Sequence, residues 1–318
     1  MPHLPASSFS TSAIGFGCAS LSAGSSRRHS IALVHAAYDA GIRHFDVAPP
    51  YGMGTAEDIL GEALKSCRND VTIATKVGFL RPRHAWAVMQ IRSVAAPLRK
   101  VVPQLTRRVG ASTYRGLTSR PKLDTSFVQS SLAESLRRLR TNHVDLLLLH
   151  EVTLDDLTDD LLECLETLRR RGKVRSLGTG TSYESTLAIR NAYSSFFDVW
   201  QYSWSILDTD QLPPIDFTVT HRAIQGAQAP LRDWLRSDLG RTRRLSDATG
   251  IDLSVEDNLG FVLLGAAIAH NSGGITLVST RQKNRVAANA RLLSDRTFVA
   301  AGQRLIAAMA AEPNLKCA

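Results

Sequence analysis

The sequence predicts a single α/β domain over 1–318, folded as a closed (β/α)8 barrel, and three observations carry that prediction. Eight short apolar, strand-like runs recur along the chain, with helix-like stretches between them. Glycines punctuate the joints: "DAGI" at 39–42 and "RRGKV" at 170–174 each place one where a helix stops before the next run. "GFGCAS" at 15–20 holds only the first two glycines of Gly-x-Gly-x-x-Gly, with Ser20 in the last place, so an open dinucleotide-binding sheet loses its main support. In such a barrel the active site lies at the C-terminal ends of the strands.

The strands are expected, in order, at Ile14–Cys18 (IGFGC), Arg43–Asp46 (RHFD), Val71–Thr75 (VTIAT) and Val144–Leu149 (VDLLLL). They continue at Val174–Gly178 (VRSLG), Asp198–Tyr202 (DVWQY), Phe217–His221 (FTVTH) and Ile275–Val278 (ITLV); the sixth and seventh are short and lack clean borders. Helical periodicity marks Ser30–Ala40, Ala56–Lys65, Thr125–Leu139, Thr158–Arg171, Tyr183–Ser194 and Ser254–His270. Neither an internal repeat nor a linker divides the chain.

Composition narrows the function classes. Apolar residues make up 44% and charged residues 21%, ordinary values for a globular protein, and no apolar run reaches the roughly 18 residues of a membrane span. The four cysteines (Cys18, Cys67, Cys164, Cys317) have no metal-like spacing, so no metal site is expected. With no secretion-like start, they read as reduced thiols of a cytoplasmic protein. The net charge is +9, and the stretch 81–120 alone holds nine Arg or Lys and no acid. That concentration argues against a general nucleic-acid binder and for a local device. The basic insert, about 79–121, interleaves Trp86, Met89, Ile91, Val94 and Leu98 with arginines, and Pro97 and Pro103 preclude one long helix. A solvated lid, capture of an anionic or acyl-carrying substrate, and attraction to a membrane surface or nucleic acid are the readings it leaves open.

The chemistry concentrates at the strand ends. "HFDVAPPYG" closes the second strand at Asp46 and offers Tyr51 on the following loop; "VTIATKVG" ends the third at Lys76, and "VDLLLLHEV" ends the fourth at His150. Each residue alone has an ordinary structural role: Asp46 as a helix cap, Tyr51 in packing, Lys76 and His150 as strand ends. Their convergence on one rim has a coherent chemistry. A tyrosine ordinarily titrates near pH 10, roughly, and a neighbouring ammonium favours its anion. A buried lysine needs a counter-ion, which Asp46 supplies. A neutral histidine donates a hydrogen bond to a substrate oxygen. The four together suit protonation of a carbonyl oxygen by Tyr51 as hydride reaches its carbon.

Over about Ile14 to Asn289 the chain resembles the aldo-keto reductase superfamily, through "IGFG", "AGIRHFDVAPPYG", "AEDILGEAL", "TKVG", "VDLLLLHEV", "GKVRSLGTG", "WQYS" and "STRQKNRVAANA". The resemblance implies an oxidoreductase acting on an aldehyde, ketone, sugar or alcohol, with Asp46, Tyr51, Lys76 and His150 as catalytic tetrad. It also implies a nicotinamide cofactor across the barrel mouth. Ser279, Thr280, Arg281, Arg285 and Asn289 match the segment holding an adenosine 2′-phosphate, which favours NADP(H) over NAD(H). Gln201 matches a carboxamide-binding glutamine, and Asp46 also lies at the nicotinamide end.

Three departures stand beside the matches. Gly180 and Thr181 replace the family's usual Ser-Asn. His221 or Arg222 stands where an aromatic often stacks on the nicotinamide. The third is the basic insert. The first two would also suit a slow-turnover regulatory or binding protein that keeps fold and cofactor, against which the intact tetrad argues. Sugar lactols, aldehydes and small ketones all remain candidate substrates.

Overall fold

The computed structural model describes residues 2, 10–21, 26–82, 120–208 and 216–311. All eight expected runs are strands: β1 Ile14–Gly17, β2 His44–Asp46, β3 Thr72–Val77, β4 Val144–His150, β5 Val174–Gly180, β6 Val199–Ser203, β7 Phe217–His221 and β8 Ile275–Val278. Each pairs in parallel with the next, and β8 returns to β1, closing the barrel. Of the basic insert, 83–119 lies outside the described residues, as does Cys317. Among the described residues no helix is long and apolar enough to cross a membrane.

Alternation along each strand decides what faces the barrel interior. Ala74, Leu146, Leu148, Val199, Val219, Ile275 and Leu277 fill that interior as one cluster. Their neighbours Ile73, Leu147, Leu149, Trp200 and Val278 turn outward into the layer between strands and helices. Stepping two residues from the inward set toward the strand ends reaches Lys76, His150, Gln201, His221 and Ser279. The last two inner positions of β5, after Ser176, are the glycines Gly178 and Gly180. A Cβ on Gly178 would lie 2.3 Å from the Val199 carbonyl oxygen, so side chains from neighbouring strands fill that space instead.

The six periodic stretches are helices at Arg27–Asp39, Ala56–Ala63, Thr125–Leu139, Asp159–Arg170, Tyr183–Tyr193 and Glu256–His270. Ser26, Asp124, Thr158 and Ser182 cap four of them by accepting a backbone N–H three residues on. Gln228–Arg236, Leu239–Thr249, Lys283–Ala290 and Thr297–Ala310 are further helices outside the six expected. Leu239–Thr249 buries only Leu245 and Thr249, too sparse a stripe to read. Thr297–Ala310 packs on Glu256–His270 through close glycine contacts: a Cβ on Gly265 would stand 2.0 Å from the Phe298 carbonyl oxygen.

Candidate active site

All twelve residues singled out in the sequence line one cleft of 1110 Å³. Asp46, Tyr51, Lys76 and His150 stand with Gln201, His221, Arg222, Ser279, Thr280, Arg281, Arg285 and Asn289 around the C-terminal barrel mouth. The strand alternation explains part of this gathering: Asp46, Lys76, His150, Gln201 and His221 are inward positions at the strand ends, and the loops and helix that follow bring the other seven.

Tyr51 reaches the cleft on a strained turn. Gly52 has φ +59°, and a Cβ there would lie 2.3 Å from the Leu21 carbonyl oxygen, so only glycine fits. Met53 follows at φ +58°, a left-handed conformation costly for a side-chain-bearing residue. Arg81 clamps this turn: its guanidinium donates to the Gly54 carbonyl and pairs with Glu57, which is fully buried. Thr75 completes the clamp by donating to Glu57 Oε1 at 2.8 Å. The Tyr51 turn is thereby tied to the strand that carries Lys76.

Beneath Tyr51 lies a buried ion pair. Lys76 Nζ donates to Asp46 Oδ2, and both residues are 2–3% exposed. Gln201 Nε2 donates to the same oxygen at 2.9 Å. Burial by itself pushes the Asp46 carboxyl up, but the Lys76 charge and hydrogen bond, with the Gln201 amide, overcome it and hold the group below the usual carboxylate range. Lys76 Nζ lies 5.5 Å from the centre of the Tyr51 ring, and His150 meets that ring edge-on at 6.3 Å. Burial, then the Lys76 charge, take His150 down to about 3, so it is neutral at physiological pH. Phe79 packs against its ring at 4.9 Å. Cys18 lies below the pair, and burial, then the Asp46 charge, keep its thiol protonated.

The other end of the cleft is rich in donors. Ser279, Thr280, Arg281 and Arg285 precede or open the helix Lys283–Ala290, and Asn289 lies buried within it. Ser20 Oγ approaches Ser279 Oγ at 3.0 Å, joining the β1 and β8 loops. Arg285 pairs with Asp257 at 2.7 Å on an exposed rim. Two of the departures gain a geometry. Thr181 donates its hydroxyl to the Val152 carbonyl at 3.0 Å, and Gly180 faces Gln201 Oε1, which a Cβ would meet at 3.0 Å. Burial takes His221 down to about 4, and Arg222 follows it in a left-handed turn at φ +68°.

Sequence reasoning missed Glu151 and the Glu57–Arg81 clamp. Glu151 lines the cleft directly after His150 at φ +56°, and burial raises its carboxyl against the pull of Arg120. An acid following the strand-end histidine was the available signal. Among the described residues no three His, Cys, Asp or Glu converge as a metal site.

The model of the aldo/keto reductase family matches residues 13–217. A Bacillus subtilis protein described as an uncharacterized oxidoreductase is 24% identical over 314 residues, 92% of this chain and 92% of its own length. D-threo-aldose 1-dehydrogenase of a Pseudomonas species is 32% identical over 201 residues, 60% of this chain and 57% of that enzyme. Among solved structures, an aldo-keto reductase of Klebsiella pneumoniae in complex with NADPH shares the fold at a TM-score of 0.60 and 22% identity, covering 89% of this chain and 86% of that one.

Proposed function

The chain belongs to the aldo/keto reductase family, and from that premise we propose that it is an NADP(H)-dependent oxidoreductase interconverting an aldehyde or ketone with its alcohol, or oxidising a sugar, with Tyr51 as the proton-transferring group. One observation carries this reading: the buried Asp46–Lys76 pair lies under Tyr51 beside a neutral His150, all on one cleft. The cleft also suits the cofactor. Ser279, Thr280, Arg281 and Arg285 offer hydroxyls and guanidinium groups to a phosphate, with Asn289 behind them. Gln201, with His221 and Arg222 near it, would hold the nicotinamide end.

When bound, the nicotinamide supplies or accepts the hydride. His150 donates an N–H to the substrate carbonyl oxygen and orients it. Tyr51 gives that oxygen its proton in reduction and takes it back in oxidation. The Lys76 ammonium stabilises the resulting phenolate, and Asp46 keeps Lys76 charged in a site that would otherwise favour its neutral form. The slow-turnover binding reading is not favoured, because ligand binding alone gives no reason to bury an ion pair beneath Tyr51.

A nicotinamide-absorbance assay across aldehydes, ketones and sugars tests the proposal, with Tyr51→Phe as the decisive variant. Turnover should fall roughly 10²–10⁴-fold, while the dissociation constant for NADP(H) stays within a few-fold. Rates within twofold of the parent would remove Tyr51 from the role.

A further inference from the structure

The replacement of Ser-Asn by Gly180 and Thr181 changes what can meet the cofactor's carboxamide. Thr181 has directed its hydroxyl hydrogen to the Val152 carbonyl, and Gly180 has no side chain. Gln201, 3% exposed and paired with Gly180 in the β5–β6 register, is the polar side chain beside that gap. Its amide orientation follows from chemistry: a carboxylate only accepts, so Nε2 must face Asp46, and Oε1 faces the space over Gly180.

We infer that Gln201 is a positioning residue that links seating of the nicotinamide carboxamide to the Asp46–Lys76 pair, and that Gly180 opens the face of Gln201 through which the link runs. This rests on the proposed nicotinamide chemistry. A carboxamide NH2 donating to Oε1 polarises the Gln201 amide and strengthens the bond from Nε2 to Asp46, because hydrogen bonds in series reinforce one another. Asp46 needs that support. Buried ion pairs gain on water only when further hydrogen bonds satisfy the remaining lone pairs, and Gln201 supplies such a bond on Oδ2. The other groups around Asp46 are neutral near pH 7: His44 on β2, Cys18 after β1, His150 on β4 and His221 on β7. Against burial, which favours the neutral acid, Lys76 and then Gln201 are therefore the main groups that keep Asp46 ionised.

The test compares binding of NADP+ with that of its 3-acetylpyridine analogue, which keeps the carbonyl and lacks the NH2 group. The parent should bind NADP+ about tenfold more tightly, the equivalent of one hydrogen bond. Gln201→Leu should bring the ratio to within twofold of one. In the same variant the acid limb of the kcat/KM profile for carbonyl reduction should move up by at least half a pH unit, since Asp46 loses a donor to its ionised form. Gly180→Ala adds only a methyl group against Oε1, and should cut the ratio at least threefold in a folded protein. A preference that survives in Gln201→Leu, or an unmoved acid limb, overturns the link. Failure to bind either dinucleotide would instead overturn the proposed function. Equal binding of both by a parent that reduces carbonyls overturns only this inference.

Discussion

Removing one member of the Asp46–Lys76 pair should cost more stability than removing both. Asp46→Ala leaves an ammonium in a site 2% exposed, while Lys76→Met leaves a carboxylate with Gln201 as its remaining side-chain donor. Breaking a buried pair in this way typically costs about 3–5 kcal/mol. With a urea slope near 3 kcal/mol per molar, each single variant should lower the unfolding midpoint by about 1–1.7 M. Asp46→Leu with Lys76→Met removes both charges and fills the volume, and should return to within about 1–2 kcal/mol of the parent. Unfolding can be followed at pH 7 through the fluorescence of buried Trp200 and Trp204, with circular dichroism alongside. All three variants should be inactive, which separates the pair's proposed catalytic role from its effect on stability. Additive losses, with the double variant the least stable, would show that the charges are not coupled and would refute this account of the site.

Acid should destabilise the protein well above the carboxylate range, because His44, His150 and His221 titrate at about 4, 3 and 4 when folded. The unfolded chain takes up protons below about pH 6.5 while the folded state stays neutral, so stability present above 6.5 is lost as pH falls, about 2 kcal/mol per histidine by pH 5. Denaturation at pH 7, 6 and 5 should show this slope and a shallower one for His44→Gln; a flat response would contradict the buried neutral rings. Arg285→Ala should weaken NADP(H) binding about tenfold and leave NAD(H) unchanged, by fluorescence titration. The guanidinium is about half-exposed, so its charged hydrogen bond to a 2′-phosphate sits at the low end of roughly 1.5–3 kcal/mol. Equal losses for the two dinucleotides would move the phosphate site elsewhere. If the basic insert steers anionic substrates, kcat/KM for an acidic carbonyl should fall steeply with salt while a neutral analogue changes little, since exposed charges act across about 8–10 Å at physiological salt. Arg107→Gln with Arg108→Gln should flatten the difference, and identical salt profiles would leave the insert as a lid. Glu151 at the cleft opposes the anionic reading, which sharpens that comparison.

Much of the site is legible in the sequence because a strand alternates with a period of two. Once "ATK" and "LLH" are strand ends, Lys76 must share a face with Ala74, and His150 with Leu148; the barrel then turns shared phase into proximity. Glu57 and Arg81 carry no such phase signal. Their pairing depends on the left-handed turn at 52–54, which packs Gly52 against the Leu21 carbonyl and brings the Gly54 carbonyl to Arg81. The helix Leu239–Thr249 escapes for a related reason: with two buried residues, its position follows from the helices it packs on and not from its own pattern.

Gly180 shows where a motif comparison stops and local geometry takes over. As a departure from the family pattern it suggests a lost cofactor contact. In the barrel it stands beside Gln201 in register, so what leaves one strand changes what the next can reach. The missing side chain leaves Oε1 uncovered while Nε2 is committed to Asp46. Under the proposed chemistry, a substitution that weakens one hold on the nicotinamide gives the other hold, Gln201, a line to the Asp46–Lys76 pair. Gly180→Ala and Gln201→Leu should then act on the same quantity, the discrimination between a carboxamide and a methyl ketone. Their effects should not add, because once Gln201 is gone, covering its Oε1 removes nothing further.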